Sequence, residues 1–153
     1  MLTASMSQNA KAGLFAAAGI LLGACVVFWS PNRGNAFEAV SPLLATGEDI
    51  LGQPLSYPAG KPKVTAAILT LEPGASTGWH KHAVPLFAHI LEGEVTVDYG
   101  PHGKRVFRKG DSLMEAINTA HDGRNTGKGV ARVLGVFMGV DGVANTTKVT
   151  PPK

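Results

Sequence analysis

The chain has a single cysteine among its 153 residues, Cys25, and it lies in an apolar run near the front. The rest of the sequence therefore has no thiol to offer as nucleophile, redox centre or metal ligand, and no disulfide. Charge of one sign is also lacking. From Phe37 onward twelve Lys and Arg stand against eleven Asp and Glu, a net of +1, which is no electrostatic footprint for nucleic acid. The basic cluster Lys104, Arg105, Arg108 and Lys109 flanks an expected hairpin and reads as a solvated strand face. Amphipathic helical periodicity and internal repeats are missing too, which leaves short strands to build the core.

The sequence does contain a long hydrophobic stretch. Residues 12–29, AGLFAAAGILLGACVVFW, carry no charge and are followed by the breaker string Ser30, Pro31, Asn32, Arg33, Gly34, Asn35. As a helix they would span about 27 Å, near the lower limit for crossing a bilayer. Three readings of residues 1–36 compete: a membrane anchor or uncleaved signal, a signal peptide cleaved near Ala36, and a lipoprotein signal through Leu22, Gly23, Ala24 and Cys25. All three place the remainder of the chain outside the cytoplasm, in the periplasm or at the cell surface, membrane-anchored through residues 12–29 or secreted.

Residues 37–63 form a lead-in broken by Pro42, Gly47, Gly52, Pro54, Pro58, Gly60 and Pro62, with one edge strand expected near Ile50 to Leu55. Strands are then expected at Val64–Leu71, Phe87–Leu91, Glu94–Tyr99, Arg105–Arg108, Ser112–Glu115 and Val130–Met138, each bounded by Gly, Pro or Asp. Turn signals at this frequency predict an all-β barrel or sandwich over residues 64–140, with residues 141–153 left as a C-terminal tail.

The chemistry gathers between Gly74 and Asn125. His80 and His82 are two residues apart, a spacing that turns both imidazoles to one face of a strand, and His121 follows in a second glycine-framed string. Neutral imidazoles suit divalent transition metals. Gly74, His80, His82 and Gly93 stand at the distances of the first cupin motif. Gly110, His121 and Asn125 stand at those of the second, across a sixteen-residue spacer. The sequence from about residue 60 to 140 therefore resembles the cupins. The resemblance implies a double-stranded β-helix, or jelly-roll, barrel that turns His80, His82 and His121 inward on one divalent metal ion: iron, manganese, nickel, copper or zinc.

Two departures from that pattern matter. The motif's Glu falls at Leu86, or one residue later at Phe87, and neither can bind a metal. The Pro and Gly of the second motif are Ala116 and Asn118, and Asn visits left-handed backbone more readily than other residues with a side chain. Glu115 is the polar residue that stands out: facing inward with Leu113, it becomes a fourth ligand, a partner to an imidazole, or a catalytic acid or base, and facing outward it is a surface glutamate. Arg124 and Trp79 are candidates for holding substrate, against the plainer reading of rim and packing residues. By strand alternation His89 faces away from the vacated Leu86 position, and His102 sits in a solvated turn. Asn125 is expected to fix a loop through side-chain to backbone bonds.

Two functions fit this sequence. One is a metal-dependent enzyme, a dioxygenase or isomerase acting on a small molecule, since the three-histidine pattern without a carboxylate looks like that of the thiol dioxygenases. The other is a non-catalytic module that binds a metal or small ligand or makes a subunit contact such as a homodimer.

Overall fold

The computed structural model describes residues 40–153. Residues 1–39, and with them the expected membrane or signal segment and its helix, lie outside the described residues. Among the described residues no helix is long and apolar enough to cross a membrane.

The described chain is almost entirely β. Strand β1 (Pro62–Leu71) is followed by β2 (His80–Lys81), β3 (Leu86–Glu92), β4 (Glu94–Asp98), β5 (Lys104–Arg108), β6 (Ser112–Met114), β7 (Asp122–Asn125), β8 (Ala131–Val140) and β9 (Thr147–Lys148). They form a four-stranded sheet in the order β1-β8-β3-β6, a three-stranded sheet β5-β4-β7 and the short pair β2-β9. Every ladder is antiparallel.

The two larger sheets face each other. Ile90 and Leu113 from one, and Val95, Val97 and Phe107 from the other, meet in a core that also holds Leu71, Tyr99 and Ala131. Alternation along β3 and β4 sets this up: Leu86, Ala88 and Ile90 are buried on β3, and Val95 and Val97 on β4, with the residues between them more exposed. Strand β1 departs from the rule. It is at the edge of its sheet, and Val64 and Ile68 are 67% and 51% exposed.

The expected strands are present within a few residues at their ends. The edge strand expected near Ile50 to Leu55 is not formed; a single bridge joins Glu48 to Pro54 around a turn. Asp49 organises that turn, accepting from the amides of Leu51 and Gln53 with one oxygen and from the amide of Ile117 with the other. Strand β7 has no counterpart among the expected strands, because Asp-Gly-Arg-Asn is turn composition. Its pairing with β4, from Val95 with Asn125 to Asp98 with Asp122, overrides that preference. The basic cluster lies on β5 and the turn after it, where Lys104 pairs with Asp98 at 2.9 Å and Arg108 with Glu94 at 3.1 Å, all four partly or largely in solvent.

Gly93 makes the reversal between β3 and β4 at φ 76°, and a Cβ there would stand 2.6 Å from the carbonyl oxygen of Val130. Both the backbone angle and the space exclude a side chain. Gly93→Ala is expected to lower stability by about 2–4 kcal/mol, the combined range for backbone strain and overpacking, read as a shift of the denaturant midpoint at unchanged slope. A loss under 1 kcal/mol would show that the turn relaxes around the methyl group.

Candidate metal centre

Three separate elements bring the histidines together. His80 opens β2, His82 follows it and bridges to Ile117, and His121 precedes β7 with its backbone paired to that of His80. That last pairing is reciprocal, each amide donating to the other's carbonyl at 2.9 Å, so the two motifs are joined next to the rings they carry. Asn118 has φ 54° and its amide donates to the carbonyl of His82, so it takes the place the motif gives to glycine.

The three rings lie with centroids 4.4 to 5.0 Å apart, and their ligating nitrogens are all within 4.8 Å of one another. Each Nδ1 is committed to a backbone carbonyl: His80 donates to Gly78 at 2.7 Å, His82 to Asn145 at 2.9 Å and His121 to Thr119 at 2.9 Å. A ring whose Nδ1 carries the proton keeps its lone pair on Nε2. All three rings are thus held in the tautomer that suits a metal ligand, with the orienting outer bond already made. Burial lowers the pKa of His80, its bond to Gly78 opposes that, and the neighbouring His121 adds to the lowering. Burial pushes His82 down to about 4, against the opposing effect of its bond to Asn145. The donor set is therefore convergent and confined, as a divalent transition ion requires.

Glu115 is buried and faces inward with Leu113, so the inward alternative of the sequence holds. Its Oε1 accepts from the hydroxyl of Tyr99 and from the amide of Ala116, both at 2.8 Å. Its Oε2 lies 3.9 Å from Nε2 of His121. Two donors sharing one ion at about 2.0–2.2 Å are separated by roughly 3–4.4 Å, so that oxygen stands within reach of the same centre. The vacated position, Leu86, faces the same cavity and contributes only an apolar wall.

Tyr99 is fully buried, and burial, reinforced by the Glu115 carboxylate, raises the pKa of its hydroxyl well above the ordinary value, so it serves as a donor. Sequence reasoning gives it no role. An aromatic residue at a strand end signals packing, and only the fold shows which group its hydroxyl meets. The segment after β8 is also without a sequence signal. Asn145 holds His82 through its carbonyl, Thr146 Oγ1 lies 3.2 Å from the same Nδ1, and Lys148 pairs with His80 across the β2-β9 ladder.

The remaining candidates lie elsewhere. Arg124 is exposed and donates from Nη1 to the carbonyl of Gly74 at 2.8 Å, and neither it nor Trp79 lines the cavity. Strand β7 alternates, and the position that faces inward on it is Gly123, next to Arg124. His89 bonds Ser112 at 2.8 Å on the outer face, the bulge of β3 falling after it, between Ile90 and Glu92. Asn125 ties loops together, donating to the carbonyls of Leu71 and Gly129 and accepting from the amide of Gly127.

Above the histidines opens a cavity of about 420 Å³ whose walls are mostly apolar, with Ile68, Leu69, Leu86, Ile90, Val133 and Phe137 among them.

The model of the cupin domain matches residues 67–137. This stretch, a little under half of the chain, is similar to a cupin domain. Among solved structures, an uncharacterized conserved protein with a double-stranded β-helix domain from Klebsiella pneumoniae subsp. pneumoniae is similar at 16% identity and a TM-score of 0.50, over 78% of this chain and 93% of that one. DMSP lyase DddQ from Ruegeria pomeroyi is similar at 21% identity and a TM-score of 0.50, over 59% of this chain and 45% of that one. Oxalate decarboxylase from Lactobacillus farciminis is similar at 21% identity and a TM-score of 0.49, over 56% of this chain and 26% of that one. The chain thus spans about a quarter of the decarboxylase and less than half of the lyase, and identities this low show the fold alone. No curated protein sequence matches the chain. The matched stretch contains all three histidines and Glu115, while Asn145 and Lys148 come from the chain beyond it.

The neutral rings give the site a pH dependence of its own. In the unfolded chain His82 takes up a proton near pH 6.5, whereas in the folded chain it does so only at about 4. Between those values the unfolded state binds more protons, so stability rises with pH across the window and is lost as pH falls through it. For metal-stripped protein the loss from this one ring is on the order of 3 kcal/mol from pH 7 to 4. Denaturant melts after chelation at pH 7, 6 and 5 should show the decline beginning below 6.5. A flat profile would mean that the folded ring accepts its proton as readily as the free one.

Proposed function

We propose that this cupin domain binds a divalent transition ion through His80, His82 and His121 and is an enzyme acting on a small molecule as an oxygenase or isomerase. The observation that carries the reading is the commitment of all three Nδ1 atoms to backbone carbonyls, which leaves three Nε2 lone pairs converging beside a buried carboxylate. A bound ion of this kind polarises a substrate oxygen or, as iron, engages O₂. Glu115 presents Oε2 to the same space while Tyr99 and the Ala116 amide fix Oε1, so it can take or return a proton without reorienting. A second reading, a non-catalytic module for a small ligand, is favoured by the apolar walls of the cavity. The open edge of β1, with Val64 and Ile68 exposed, suits pairing with a second copy in a homodimer. For residues 12–29 we retain the sequence reading of a membrane anchor or export signal, which places the domain outside the cytoplasm.

The test is reconstitution of the full chain with Fe(II), Mn(II), Ni(II), Cu(II) or Zn(II), elemental analysis after gel filtration, and an oxygen-uptake screen with small thiols, diols and sugar acids. About one ion per chain is expected, with Mg(II) and Ca(II) excluded because they prefer all-oxygen shells. Failure of every ion to bind would remove the metal reading, and binding without any turnover would favour the module. Cell fractionation followed by protease accessibility in intact cells checks location, and a protected, soluble cytoplasmic chain would refute export.

A further inference from the structure

Directly opposed residues of an antiparallel pair carry their side chains on the same face, with Cβ atoms about 4.5–5.5 Å apart. His80 is opposed to Lys148 in the β2-β9 ladder, and both line the cavity. Thr146, just before β9, reaches Nδ1 of His82 at 3.2 Å and lines the cavity too. The side of β9 that carries Lys148 is therefore the side turned to the histidines. Lys148 is exposed at the cavity, and among the described residues its ammonium has no carboxylate within 4 Å. Asp122, which does not line the cavity, accepts from the hydroxyls of Ser76 at 2.6 Å and Thr77 at 3.2 Å. Away from this polar end the walls are formed by Ile68, Leu69, Leu86, Ile90, Val133 and Phe137.

We propose that the cavity takes an amphiphilic monocarboxylate, its head group held at Lys148 beside His80 and its hydrocarbon part lying along the apolar walls. The inference deepens the metal reading and rests on it in part, because a divalent ion beside Glu115, together with Lys148, leaves that end of the cavity net positive and suited to an anionic head group. It goes beyond that reading by fixing the class of ligand. A small dianion such as oxalate would leave the apolar walls facing water, and a neutral chain would forgo the charged contact at Lys148.

Hexanoate, hexanamide and oxalate are the probes, added to the full chain loaded with Co(II), with binding read from the visible spectrum of the ion and, independently, by calorimetry. Hexanoate should bind at least tenfold more tightly than either of the others. Lys148→Met should cost hexanoate about tenfold or more and leave hexanamide within twofold, and Lys148→Arg should restore most of the loss. Oxalate binding more tightly than hexanoate, or equal hexanoate affinity in Lys148→Met, would overturn the proposal. Failure of the chain to retain Co(II) would overturn the metal reading alone, since calorimetry of hexanoate on the same proteins still decides the role of Lys148.

Discussion

Any one of His80→Ala, His82→Ala and His121→Ala is expected to strip the reconstituted chain of its ion, with affinity falling by at least the roughly 10–100-fold that loss of an outer partner alone produces. The three rings contribute alike, because each presents Nε2 to the same space with its Nδ1 tied down. Stability of the metal-free proteins should change far less. Removing a ring frees one backbone carbonyl and enlarges a cavity that the rings already line, so the cost stays below that of truncation in a close-packed core. Elemental analysis and a denaturant melt on each variant separate the two effects. Equal metal content in the wild type and all three variants would leave the histidines as structural residues of a barrel that binds no ion.

The second large effect concerns Glu115, where two substitutions should diverge. Glu115→Gln keeps an acceptor oxygen for Tyr99 and for the amide of Ala116, so the stability loss is expected to be about 1 kcal/mol, the difference between a charged and a neutral acceptor, while turnover or metal retention is lost with the charge. Glu115→Ala removes both bonds and leaves a buried hydroxyl and a buried amide without partners, each costing about 1–3 kcal/mol. Thermal melts together with metal content distinguish a residue that only supports the fold from one that serves the site. Unchanged metal binding and activity in Glu115→Gln would assign the glutamate to support of Tyr99.

The legibility of this molecule in its sequence depends on the range over which each feature is decided. The histidine pair is a local matter of two-residue spacing on a strand, and the glycines that frame it mark turns, so His80 and His82 can be read directly; Gly93 even shows the close approach that makes it a glycine. Asn118 is legible for the same reason, since left-handed backbone is a preference of the residue itself. Glu115 is ambiguous because a three-residue strand is too short for alternation to fix its face. Arg124 is harder to place, because a guanidinium next to a motif histidine suggests substrate binding while on β7 it is Gly123 that lines the cavity. Tyr99 and the segment from Asn145 to Lys148 are out of reach, because their partners lie 16 to more than 60 residues away in sequence and no local pattern records such a meeting.

The bond between His82 and the carbonyl of Asn145 also bears on the order in which the site comes into being. A chain is made from its N-terminus, and the long β1-β8 ladder can close as soon as Val140 is available. The proton position on His82 is set only later, by residue 145, and β9 is then held over the site by two register pairs. A ladder that short opens at far less cost than the ten-residue pairing beneath it. The barrel can thus be intact while His82 is unfastened, and residues 145–148 act as a latch through which the centre is completed last and released first.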